Sequence, residues 1–154
     1  MHDKIRFVIS ITICQFAGVI GYIFTASSVT NWYVTLEKPD FTPPGWIFGP
    51  IWVALYFLMG ISLYLLWINK TKDNRKAFTV FAVQLILNAS WSILFFGLKS
   101  PLYGLIDILL LLAAIILTIL FLYKVSVLAM VLLVPYLVWV AFATILNYNI
   151  LLLN

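Results

Sequence analysis

The run from Leu102 to Leu153, LYGLIDILLLLAAIILTILFLYKVSVLAMVLLVPYLVWVAFATILNYNILLL, carries one basic residue, Lys124, and one carboxylate, Asp107. As a single helix it would reach about 80 Å at roughly 1.5 Å per residue. A bilayer core is only about 30 Å thick, so the chain has to turn back, and Tyr123 to Ser126, around the run's single basic residue Lys124, is the place near its middle to turn on. Two spans therefore lie where hydropathy alone sees one.

Working outward, the chain divides into five apolar segments at about residues 5–27, 46–68, 77–98, 102–123 and 125–153. Each is near the roughly 20 residues a spanning helix needs. With 65% hydrophobic and 9% charged residues and a mean hydropathy of +1.14 over 154 residues, the chain lies far from soluble domains, where about 25% charged is usual. The expected fold is an all-α integral membrane protein, a five-transmembrane-helix bundle forming a single transmembrane domain over residues 1–154. The links Asn69 to Lys76 and Gly97 to Pro101 are short, which forces sequential spans to pack antiparallel. Lys4 and Arg6 precede the first run and Ala26, Ser27 and Ser28 end it, as in a secretory leader. Its length exceeds the roughly 7–15 residues of a leader's apolar core, so it reads as a span.

An odd number of spans puts the termini on opposite sides. Lys4, Arg6, Lys70, Lys72, Arg75, Lys76 and Lys124 fall on the side of the N-terminus, and Lys38 and Lys99 on the other. Cytoplasmic loops carry the excess of Lys and Arg. The reading is a multi-pass protein of the cell membrane with its N-terminus cytoplasmic, its C-terminus outside, and the loop at residues 29–45 facing out.

Several function classes are excluded by composition. One cysteine and one histidine leave no disulfide and no metal centre, and no basic face is present to hold nucleic acid. There is no GxGxxG, P-loop or HExxH motif, and Ser10, Ser90 and Ser92 have no histidine partner for nucleophilic catalysis. No permanently bound cofactor is expected.

Polar side chains inside spans are costly and each asks for a reason. Gln84, Asn88 and Trp91 stand at i, i+4 and i+7 and share one helix face. Tyr136, Trp139, Ala143 and Asn147 form a stripe in the fifth span. Trp52 and Tyr56 are a turn apart in the second span, and Gln15 and Tyr22 two turns apart in the first. Rings to stack and a few donors to orient describe a pocket for a large flat ligand; the same groups could equally bond one another across helices. Asp107 lies close to Pro101, near a helix N-terminus whose dipole favours an anion, and reads as structural. Ala17, Gly21 and Thr25, spaced by four, read as a close-packing stripe inside the bundle or against a second copy. Pro135 should bend the fifth helix by removing the bond to the carbonyl of Val131. With no conventional catalytic group, any chemistry must draw electrons from the ligand and from tryptophan. The indoles of Trp52 and Trp139, readily oxidised rings in these stripes, are then the candidate residues for photo-oxidation of a light-absorbing ligand.

The remaining stretch, Trp32 to Trp52, reads WYVTLEKPDFTPPGWIFGPIW and holds three of the six tryptophans and four of the six prolines. Pro39, Pro43 and Pro44 each fix φ near −65°, so residues 32–44 form a semi-rigid lid, while Trp46 to Trp52 opens the second helix. The elements Trp32-Tyr33, Leu36, Lys38-Pro39, Phe41, Pro43-Pro44, Trp46, Phe48, Pro50 and Trp52, followed by Asn88, Trp91, Asp107, Pro135-Tyr136-Leu137, Trp139, Phe142-Ala143 and Leu146-Asn147-Tyr148, closely resemble the TspO/translocator-protein family, also called tryptophan-rich sensory proteins and peripheral-type benzodiazepine receptors. The resemblance covers the whole chain and looks like a bacterial member. It implies a five-helix membrane protein, usually a homodimer, that binds tetrapyrroles such as protoporphyrin IX and haem-like porphyrins. It also implies isoquinoline carboxamide and benzodiazepine-type drugs as ligands, light-dependent porphyrin breakdown in bacterial relatives, and a pocket under the first loop. The matching positions are Tyr33, Trp52, Asn88, Trp91, Trp139 and Ala143, to which the second-span stripe adds Tyr56. The alternative function is a transmembrane carrier of porphyrin or of other hydrophobic ligands such as sterol. Animal members follow a C-terminal tyrosine with a basic residue; here Tyr148 is followed by Asn149, Ile150, three leucines and Asn154, which makes sterol the weaker expectation.

Overall fold

The computed structural model describes residues 2–69 and 71–154; Lys70, counted above among the basic residues, lies outside them. Among the described residues six α-helices form: α1 His2–Asn31, α2 Phe48–Ile68, α3 Asn74–Ser92, α4 Pro101–Tyr123, α5 Val127–Val131 and α6 Val134–Leu153. Five units are long and apolar enough to cross a membrane, with α5 and α6 making one of them together. Local chemistry sets several boundaries. Ser100 Oγ accepts from the Tyr103 amide at 3.3 Å and Ser126 Oγ from the Ala129 amide at 3.3 Å, capping α4 and α5. Pro101 and Pro50 sit in opening turns, where a missing N–H costs nothing.

Three boundaries differ from the sequence reading. Helix α1 continues to Asn31 rather than ending near residue 27, because Ser28 is buried: its hydroxyl donates to the Phe96 carbonyl at 2.7 Å and its own carbonyl accepts from the Trp32 amide at 2.9 Å. The outward loop is correspondingly shorter, and a 3-10 turn at Tyr33–Thr35 takes up its first residues. Pro135 does not bend a continuous helix. The fifth span breaks at Leu132 and Leu133, and Pro135 falls in the first turn of a new helix. Restarting avoids the ring clash that a proline makes with the preceding turn. Helix α3 ends in a π-turn, Ile93–Gly97, closed by the Leu98 amide on the Ile93 carbonyl at 2.8 Å, and Lys99 takes a left-handed φ of 53° to lead into Pro101.

The helices form a ring. Helix α1 packs between α2 and α3, and α4 between α3 and α6. A Cβ on Gly60 would lie 2.8 Å from the Ile11 Cα, so α2 can approach α1 this closely only with glycine there. Gly21 faces Ser92 of α3 and Ala17 is buried beside it, so the small-residue stripe packs inside the chain. The ring closes unevenly. Helix α2 meets the fifth span mainly through α5, where the Ser62 hydroxyl donates to the Ala129 carbonyl at 2.8 Å, and it touches α6 only sparingly. Toward the end that holds Trp32 and Asn154, α2 and α6 therefore stand apart. Lys38 and Lys99 lie at that end, and Lys4, Arg6, Lys72, Arg75, Lys76 and Lys124 at the opposite, basic end.

Candidate functional site

The opening between α2 and α6 is spanned by rings rather than by backbone contact. Trp52 stacks on Tyr56 with centroids 5.5 Å apart and meets Tyr136 edge-on at 6.3 Å. Phe48 meets Trp139 at 5.7 Å, and Trp139 lies 5.6 Å from Phe142. Ala143, one turn beyond Trp139, packs on the same core. Behind the rings lies a fully buried polar relay. Asn88 Nδ2 donates to the Tyr136 hydroxyl at 2.8 Å, and Asn88 Oδ1 accepts from the Tyr56 hydroxyl. One amide thus ties α2, α3 and α6 together, using both of its polar ends. The Trp139 indole N–H is buried in this region and has no hydrogen-bond partner among the described residues, whereas buried polar groups are usually paired.

Trp91 and Tyr33 occupy a second cluster nearer the loop. Trp91 stacks on Phe95 at 5.1 Å, and its indole N–H donates to Asn147 Oδ1 at 3.1 Å; Asn147 Nδ2 in turn donates to the Pro101 carbonyl at 2.8 Å. Tyr33 packs edge-on against Phe95 at 6.3 Å and on Phe96 at 5.7 Å. Burial pushes its phenol above the usual value, and the Lys38 ammonium sits 4.9 Å from its ring. Trp91 touches both clusters and joins them.

The loop lies over these rings. Phe41 meets Phe142 at 6.3 Å, and Asn154 grips the Glu37 backbone twice, accepting from its amide at 3.0 Å and donating to its carbonyl at 2.9 Å.

Of the sequence-derived positions, the structure groups Trp52, Tyr56, Asn88, Trp139 and Ala143 around the opening and sets Trp91 and Tyr33 above them. The first-span stripe does not join. Tyr22 is 69% exposed on the outer surface, and the Gln15 amide donates to the Val53 carbonyl at 3.1 Å, tying α1 to α2. Tyr136 and Asn147 hold the two clusters in place and stand in the sequence as members of a stripe and of the family pattern, not as site residues; full burial of a tyrosine one turn before Trp139 was not legible there. Asp107 is buried on the face of α4 that includes Gly104, near the α4 N-terminus, and its buried Oδ2 has no partner among the described residues. Gln84 is buried one turn from Asn88, and neither end of its amide is bonded among the described residues. Among the described residues no three His, Cys, Asp or Glu side chains converge.

The family model for the TspO/MBR family matches residues 10–153. The chain belongs to the TspO/MBR family. It is 51% identical over 150 residues to the tryptophan-rich protein TspO of Archaeoglobus fulgidus, with 97% of each chain covered. It is 40% identical over 132 residues to the human translocator protein, covering 84% of this chain and 78% of that one, and 35% identical over 124 residues to the tryptophan-rich sensory protein of Cereibacter sphaeroides, covering 80% and 77%. A TspO/MBR chain with five apolar helices is a multi-pass membrane protein, and membership supports a membrane receptor role.

Proposed function

We propose that this TspO/MBR protein is a receptor for tetrapyrroles, which it takes up between α2 and α6 beneath the loop. The observation that carries the reading is the sparing contact between α2 and α6 and the rings that fill the seam between them. Two transmembrane helices that barely touch are bridged by Trp52, Tyr136, Phe48 and Trp139, and a buried indole N–H there has no partner among the described residues. A flat macrocycle can replace ring–ring stacking with ring–macrocycle stacking at little net cost, and its carboxylates or pyrrole nitrogens can accept from Trp139 or answer the Asn88 relay. Isoquinoline carboxamides and benzodiazepines, flat and carbonyl-bearing, suit the same groups. Trp52 and Trp139 are the oxidisable rings at this opening, so light-driven loss of porphyrin in the presence of dioxygen is the activity to seek.

The basic end of the bundle faces the cytoplasm in this reading and the loop faces out, following the distribution of Lys and Arg, and the protein works as a homodimer. The test is a titration of purified protein with protoporphyrin IX, followed by tryptophan quenching and then by the porphyrin absorption bands under illumination. Saturable quenching is expected at one porphyrin per chain. Quenching that rises without saturation would mean that porphyrin only partitions into the detergent around the protein.

A further inference from the structure

At the basic end a cleft of about 400 Å³ cuts the outer surface between the first turns of α1 and the last turns of α2, lined by Asp3, Lys4, Phe7, Val8 and Tyr64. A groove of about 250 Å³ adjoins it, lined by Lys4, Ile5, Val8 and Ile9. Lys4 and Val8 are common to both. Phe7 meets Tyr64 edge-on at 5.4 Å, which fixes the floor. Asp3 is engaged by Arg6 at 3.4 Å, so Lys4, among the described residues, is left without an ion pair. Helix α1 packs alongside α3, and both begin at this end, so Lys72, Arg75 and Lys76 add positive charge nearby.

The cleft is apolar below and cationic at its rim, and it lies where a spanning helix passes from hydrocarbon to headgroup. In a bilayer its apolar floor is covered by an acyl chain, which leaves the headgroup beside Lys4. We propose that the cleft is a binding site for one anionic phospholipid, its phosphate held by the Lys4 ammonium and the Tyr64 phenol and an acyl chain lying over Phe7 and Val8. A zwitterionic lipid fills the floor equally well but brings its own cation toward Lys4 and the neighbouring basic side chains. The charge at the rim therefore selects the anionic lipid. The site is independent of the ring-lined opening at the other end of the bundle.

The experiment is native mass spectrometry of the full chain equilibrated in mixed micelles with equimolar dioleoyl phosphatidylglycerol and dioleoyl phosphatidylcholine. Retention of about one phosphatidylglycerol per chain is expected, at about fivefold over phosphatidylcholine, the factor one well-placed lysine supplies. Lys4→Gln should bring the two lipids close to parity and Tyr64→Phe should lower the preference part of the way, while Arg75→Gln lowers it by much less than Lys4→Gln and Lys99→Gln, at the other end, leaves it in place. Parity in the unsubstituted protein overturns the proposal, as does a loss with Arg75→Gln equal to that with Lys4→Gln, which would mark a diffuse field of charge rather than a site.

Discussion

Asn88 Nδ2 donates to the Tyr136 hydroxyl across 2.8 Å and thereby joins α3 to α6 in the buried interior of the bundle. The same amide accepts from Tyr56 of α2. Three helices whose apolar surfaces gain little from meeting in a bilayer are fixed relative to one another by one side chain. Asn88→Leu strands two buried phenols. It is expected to lower stability by about 1–3 kcal/mol, read as a fall in the midpoint of unfolding by denaturing detergent. Tyr136→Phe, which removes a single bond, should cost about half as much.

Gly104 of α4 stands opposite Phe95 and Asn147, and a Cβ there would lie 2.7 Å from Phe95 Cδ2 and 2.9 Å from Asn147 Oδ1. Gly104→Ala is therefore expected to push Asn147 off the Trp91 indole and to cost about 1–3 kcal/mol by overpacking. Asn147→Ala releases the same indole without crowding. Both variants should shift tryptophan emission through Trp91, and a Trp91→Phe background should abolish the shift. An unchanged emission in Asn147→Ala would refute the role given to that bond.

Asn154 holds the loop down through Glu37 with two backbone bonds and through no other residue of the loop. If the loop covers the opening, Asn154→Ala should speed both uptake and release of protoporphyrin by about fivefold, the effect of losing roughly 1 kcal/mol of hydrogen bonding, with little change in affinity. Stopped-flow quenching measures both rates. A change in affinity with unchanged rates would place Asn154 in the site rather than on its cover.

Ser62 anchors the closed half of the ring by donating to the Ala129 carbonyl at 2.8 Å. Ser62→Ala should loosen α5 from α2 and raise hydrogen exchange at Ala129 to Leu133, while leaving the Asn88 relay protected. Uniform exchange across the bundle would contradict the division into a closed half and an open half.

The sequence made the five spans legible because bilayer thickness imposes a length that any long apolar run must obey, and the fold of Leu102 to Leu153 back at Tyr123 to Ser126 follows from that constraint alone. It did not reveal where hydrogen bonds between helices override local pattern. Helix α1 outlasts its apolar run because Ser28 finds the Phe96 carbonyl 68 residues away. The π-turn at Ile93–Gly97 has no local marker; it turns two successive rings, Phe95 and Phe96, into the bundle. Pro135 obeys its rule, but the chain satisfies it by starting a helix rather than by bending one. The polar residues of the candidate site stood out by cost, since Asn88 and Trp91 inside a span need partners. Which partners they take depends on the ring order of the helices, and that order is set by packing at Gly60 and Gly21 rather than by any signal near Asn88.

The most direct test of tetrapyrrole binding between α2 and α6 compares protoporphyrin IX affinity in Trp52→Phe/Trp139→Phe with that in Trp46→Phe, whose ring is 73% exposed and serves as the control. The double variant is expected to bind about tenfold more weakly or worse, equivalent to about 1.4 kcal/mol of lost stacking and indole donation, and to lose the light-driven decay of the porphyrin bands, while Trp46→Phe keeps both. Unchanged affinity and unchanged decay in the double variant would show that the porphyrin lies elsewhere on the protein.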